Sequence, residues 1–187
     1  MWRGGFPPRV TEHSPRHGVS LNVAVYNSRM QRLALPLLAA LILAGCGARD
    51  VDKDLMITDV HTGWFDAGIV EGNKNKLVPS ISFKIQNVSA EEIATVQINA
   101  VFRRMGETAA WGEHYVSGVD SNGLAAGAIG NPIVLRSTLG YTGEQPRVQM
   151  LQNKEFVDAR VEIFGKHRSK PWVKMGEFSI DRQLLTE

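Results

Sequence analysis

Three histidines in the body of the chain, His61, His114 and His167, are the side chains best suited to metal or acid–base chemistry. Neutral imidazole ligates metals and titrates near neutrality. Asp66, Glu113 and Asp120 are the carboxylates that would complete such a site. Each histidine lies in a different segment, and no two share a short ligand spacing. They therefore read as hydrogen-bonded or solvent-facing residues that the fold does not need, and no metal or other cofactor is expected. His13 and His17 do stand at i, i+4, but Pro15 between them breaks the helix that would align them. Aromatic residues offer a second chemistry. Trp64, Trp111, Trp172 and Tyr115 can supply flat apolar area with a polar edge for a glycan or peptide. Filling a core is the commoner use of such rings; Trp111, beside Gly112, is the best surface candidate, with Tyr115 next.

No enzyme motif joins these residues. There is no Gly-x-Ser-x-Gly elbow, no His-Glu-x-x-His pair, and the Gly-rich stretch Gly118–Gly130 lacks the endings that cradle phosphate. Charge excludes a further class. Of 21 basic and 19 acidic residues, five arginines and one glutamate precede Cys46, which leaves 16 basic and 18 acidic from there on. The formal +2 thus belongs to the leader, and nothing downstream forms the cationic cluster that nucleic acid requires.

Cys46 is the one cysteine, so an internal disulfide framework is excluded. Its neighbours explain it. Leu33–Ala44 is twelve residues without a charge, preceded by Arg29 and Arg32. That is shorter than the about 20 residues a bilayer span needs and matches the apolar core of a secretory signal. The run Leu43-Ala44-Gly45-Cys46 resembles the lipobox of bacterial lipoproteins. The resemblance implies diacylglyceryl transfer to the Cys46 thiol and cleavage before it, and Gly47 in place of an aspartate implies the outer membrane. The signal is complete from Met30, so residues 30–45 are expected to be a signal peptide and 1–29 an upstream extension before the true start. Residues 46–54, short and polar, read as a tether.

Beyond the tether, from 55 to 187, the hydrophobic period becomes two. Ile81, Phe83 and Ile85 alternate with polar residues, as do Val96, Ile98, Ala100 and Phe102, and Val157, Ala159, Val161 and Ile163. Half-buried antiparallel strands have this pattern. Met56–Val60, Gly63–Val70, His114–Val119, Ile133–Ser137 and Trp172–Ile180 are further candidates, separated by turn-forming runs such as Glu71-Gly72-Asn73 and Arg168-Ser169-Lys170-Pro171. One short helix is expected from Pro146 to about Asn153. The expectation is an all-β antiparallel sandwich of seven or eight strands. The unit Ile81–Asn87, polar turn, Ile93–Phe102, with Gly123–Gly127 and Gly140-Tyr141 downstream, resembles the immunoglobulin-like modules of bacterial envelope lipoproteins, including the FxLYD type. That resemblance implies an immunoglobulin-like fold and carries over no catalytic residue. Asn87-Val88-Ser89 matches a glycosylation acceptor, but an Asn-Ser pair capping a turn is the simpler reading.

Together these features point to a non-catalytic interaction or structural module of the bacterial envelope, held by lipid on Cys46 at the periplasmic face of the outer membrane, with an envelope protein as partner. A glycan- or peptide-binding module using Trp111 and Tyr115 is the alternative, and a histidine-based metal enzyme a third reading.

Overall fold

Alternation with period two does lay out the strands. The computed structural model describes residues 49–185. Cys46, the signal segment 30–45 and residues 1–29 lie outside these. The elements are α1 (Val51–Asp54), β1 (Leu55–Val70), β2 (Lys74–Asn87), β3 (Val96–Arg104), β4 (Gly112–Val119), β5 (Ile133–Arg136), β6 (Tyr141–Gly143), α2 (Arg147–Gln152), β7 (Ala159–His167), β8 (Val173–Ser179) and β9 (Leu184–Leu185). One sheet runs β5-β2-β1-β9, with β6 also on β2; the other runs β4-β3-β7-β8. The pairs are antiparallel except β1 with β9, where Trp64 and Phe65 run parallel to Leu184 and Leu185. The molecule is an all-β sandwich. Among the described residues the nine strands exceed the expected seven or eight by elements of two and three residues, and α1 adds a helical turn to the anticipated α2.

The two sheets bury the apolar faces that alternation selects. Ile81, Phe83, Val96, Ile98, Ala100, Phe102, Ala159, Val161 and Ile163 are fully buried. Val157, read with the β7 face, is instead 39% exposed, because pairing with β3 begins only at Ala159 opposite Arg104. Every core side chain among the described residues falls between Val51 and Ile180. The described residues therefore form one compact unit with its own core. Val51 is 1% exposed and packs beside Gly165, so the chain enters the core before the expected end of the tether at residue 54.

β1 is a single strand where sequence alternation separates Met56–Val60 from Gly63–Val70. Two bulges explain the difference. Thr58 pairs with Lys84 and His61 with Ser82, so Asp59 and Val60 together oppose Phe83. Asp59 takes φ 54° to absorb the extra residue. The inward set switches there from Leu55 and Ile57 to Val60, Thr62 and Trp64. A bulge of this kind shifts side-chain phase by one. A second, between Asp66 and Ile69, uses Gly68 at φ 87° and leaves Ile69 65% exposed.

Pro79 is buried in the central strand β2 without breaking it. Its carbonyl accepts from Ser137 N–H at 2.9 Å. Nitrogen and carbonyl of one strand residue point the same way, so the missing donor faces the link where β5 ends and β6 begins, not the β1 ladder. That link hugs β2 closely: a Cβ on Gly140 would stand 2.0 Å from the Leu77 carbonyl oxygen, so only glycine fits.

The β2–β3 corner is organised by Asn87, which is fully buried. Its Nδ2 donates to the carbonyls of Glu91 and Leu124, each at 2.8 Å, and its Oδ1 accepts from Ser89 N–H at 3.0 Å and Ser89 Oγ at 2.7 Å. Both amide hydrogens are committed, so this asparagine caps a turn and is closed to glycosylation in the folded state.

Candidate functional site

The residues with chemical potential are dispersed over the sandwich. His61, on β1, is exposed and bonds Asp59 Oδ1 through Nε2 at 3.1 Å; Lys84, then His61, hold the Asp59 carboxyl below its ordinary pKa. His114, on β4, reaches across to the other sheet. Its Nδ1 lies 2.9 Å from both the N–H and the carbonyl oxygen of Arg136 on β5. As acceptor from that N–H it closes part of an open strand edge. His167, ending β7, is 6% exposed and bonds the Ala94 backbone. His114 and His167 are thus hydrogen-bonded to backbone groups, and His61 faces solvent. Glu113 is exposed on β4, and the other two carboxylates are engaged elsewhere. Asp66 pairs with Arg147 of α2, which lowers its pKa, and also accepts from Gly68 N–H; Asp120 accepts from Asn122 N–H at 2.8 Å. Among the described residues no three His, Asp or Glu side chains converge as a metal-ligating group.

The aromatic residues fall into two groups, and Trp111 and Tyr115 are in different ones. Trp64, Trp111, Tyr141 and Phe156 form a cluster at one end of the core. Its closest centroids are Trp64–Phe156 at 4.6 Å, Tyr141–Phe156 at 4.7 Å and Trp111–Tyr141 at 5.0 Å. Arg104 lies over Trp111 and Arg182 over Phe156. Trp111 is thus half-buried against the core, where rings in such contact add about 0.5–1.5 kcal/mol per pair beyond their burial.

Tyr115 belongs to a separate, exposed pair. It projects from β4 onto the outer face of β4-β3-β7-β8 and meets Trp172 edge-on, with ring centres 6.0 Å apart at 82°. The two side chains are 53% and 40% exposed, and Lys166 Nζ stands 5.5 Å from the Trp172 ring centre. Trp172 closes the β7–β8 turn, which also carries Arg168 and Lys170. Lys166, Arg168 and Lys170 form no ion pair with a described residue. Sequence spacing alone does not reveal this grouping, since Tyr115 and Trp172 are 57 positions apart and meet only through the folding of β4 and β8 into one sheet.

Farther along the same face, Arg103, Glu162, Lys174, Glu177 and Arg160 form a continuous ion network. Glu162 is its centre, accepting from Arg103 Nε at 2.8 Å and Lys174 Nζ at 2.9 Å, and these two cations hold its pKa at about 2. Between the unfolded value of 4.5 and about 2, the unfolded state binds the proton and the folded state does not, so stability falls as pH drops through that window. His167 acts earlier. Burial, then Arg168, lowers its pKa below 6.5, so the unfolded state takes up its proton first and stability declines below that pH as well. Thermal midpoints measured from pH 7 to 3 should therefore fall in two stages. Glu162→Gln should make the lower stage shallower by about 1–2 kcal/mol after solvent screening, with Asp59, Asp66 and Glu177, also lowered, leaving the remainder; an unchanged profile would mean that the network does not stabilise the fold.

No protein-family model and no curated protein matches the chain. Among solved structures it is similar to a Northeast Structural Genomics Consortium target determined by X-ray crystallography, at 13% identity over 70% of this chain and 89% of that one, with a TM-score of 0.39. A likeness at that level carries no functional argument.

Proposed function

We propose that this protein is a non-catalytic module of the bacterial envelope, tethered through a lipid on Cys46 at the periplasmic face of the outer membrane, where its sandwich serves as a structural or docking element for an envelope protein. The observation that carries this reading is the position of Val51. The core begins five residues after a cysteine set in a lipobox-like run behind an apolar segment. A lipid there would hold a folded, independently cored domain close against the bilayer, and two or more acyl chains are what firm anchoring requires.

The glycan- or peptide-binding reading is kept as second. Its aromatic pair would be Tyr115 with Trp172, because Trp111 is built into the core cluster.

Cys46→Ser tests the tether. The variant is expected to lose lipid incorporation and to leave the membrane fraction or stall unprocessed. Intact mass of the membrane-extracted wild-type protein should show an acylated N-terminal cysteine; a free Cys46 thiol in that product would overturn the reading.

A further inference from the structure

We infer that the β7–β8 corner of the sandwich is a second membrane contact, seating the domain on an anionic bilayer in a fixed orientation. Part of the argument rests on the proposed lipid at Cys46, but the surface chemistry stands without it. First, the chain leaves the fold at this corner. Arg49 and Asp50 precede α1, which packs on β7 and β8. Val51 touches the strand at Gly165, Lys170 acts electrostatically on Asp50, and Arg49 acts likewise on His167. Only Gly47 and Ala48 separate Arg49 from Cys46. Three extended steps reach at most about 11 Å. A lipid on Cys46 therefore brings the β7–β8 corner, and not the far aromatic end, to the headgroups.

Second, the corner has the composition of a membrane-interfacial surface. Trp172 and Tyr115 are exposed where a soluble domain has no packing use for them, and such amphipathic rings favour the headgroup layer. Lys166, Arg168 and Lys170 surround them without carboxylate partners among the described residues, on a domain whose residues from Cys46 onward carry more acid than base. Basic residues next to an anionic surface each contribute attraction that salt screens. The carboxylates at this end are engaged by other cations or lie farther off. Asp50 pairs with Lys53, which Asp52 also acts on, Asp54 and Glu91 face Arg49, and Asp120 follows β4, two strands away from β7. The contact is accordingly confined to the β7–β8 side, with the outer face of β4-β3-β7-β8 tilted towards the lipid.

Unlipidated residues 47–187, the unit that carries its own core, provide the test. They should co-sediment with vesicles of phosphatidylcholine and phosphatidylglycerol, bind phosphatidylcholine alone at least tenfold more weakly, and dissociate at high salt. Lys166→Glu/Arg168→Glu/Lys170→Glu should reduce binding at least tenfold while circular dichroism and thermal midpoint stay close to wild type, since all three side chains are at the surface. Brominated lipid should quench wild-type tryptophan fluorescence, and Trp172→Phe should abolish the quenching. Equal binding to both vesicle types, or quenching that survives Trp172→Phe, overturns the inference. So does a photo-crosslinker at Tyr115 that captures protein instead of lipid in intact cells. These readouts do not involve Cys46, whereas failure of the tether shows separately in the mass of the extracted protein.

Discussion

Phe83→Asp and Ile98→Asp should each unfold the domain or leave it only marginally stable, a loss of about 4 kcal/mol or more. Both side chains are fully buried between the sheets, one on β2 and one on β3. Ile98 is so closely packed that a Cβ on neighbouring Gly118 would stand 2.4 Å from its Cγ1, which leaves no room for water to follow the charge. Neither site has a cation within the core to receive a carboxylate. Gln97→Asp, next to Ile98 but on the outer face, should change stability by no more than about 0.5 kcal/mol. Chemical denaturation of the three variants checks the assignment of faces. Normal stability of Phe83→Asp or Ile98→Asp would mean that the alternation has been read with the wrong phase.

Asn87→Ala is expected to cost about 3 kcal/mol, or roughly 10 °C in thermal midpoint for a domain of this size. The substitution removes four hydrogen bonds made by a fully buried side chain, to the Glu91 and Leu124 carbonyls and to Ser89, although the two carbonyls keep Ser89 Oγ and Ile93 N–H as donors. Such bonds are worth about 0.5–1.5 kcal/mol each. Ser89→Ala removes only the hydroxyl and should cost under about 1 kcal/mol. Asn87→Asp is the sharper comparison. Its carboxylate keeps the acceptor for Ser89 but points negative charge at two carbonyl oxygens, so it should be at least as damaging as alanine at neutral pH. Equal stability of Asn87→Ala and wild type would show that the β2–β3 corner is held by its backbone bonds alone.

The strands that alternation identifies directly are those paired on both sides and buried on one face, such as β3 and the second half of β2. Their residues answer to one constraint, so the alternation runs from Val96 to Phe102 with a single break at Val101, which is apolar and also buried. β1 obeys the same constraint but is interrupted by two bulges, and a phase change within a strand looks like an interruption between strands. β6 and β9 span three and two residues and exist because β2 and β1 offer them an edge; nothing so short has a period of its own. The aromatic grouping was illegible for a related reason. Trp111 and Tyr115 are four positions apart, yet one packs into the cluster around Trp64 while the other leans over the outer sheet to Trp172. Local composition around Asn87, by contrast, did identify a capped turn, because an Asx turn is a property of adjacent residues.

The segment Asp181–Leu185 determines when folding can finish. Trp64 N–H donates to Gln183 carbonyl, Gln183 Nε2 to Thr62 carbonyl, Asp181 N–H to Thr62 Oγ1, and Arg182 clasps Asp158. The contacts to Thr62 and Trp64 join residues about 120 positions apart, closing one of the long loops of the sandwich. Loop-closure entropy makes such contacts late ones. The outer edge of β1 beside Trp64 therefore stays unpaired until residues 181–185 have been delivered, whether from a ribosome or across a membrane. A chain interrupted before Asp181 would hold nearly all of its core residues yet present an open strand edge, a state suited to capture by a chaperone or by another copy of itself. In this fold a five-residue segment decides whether the β1 edge beside Trp64 is covered or open.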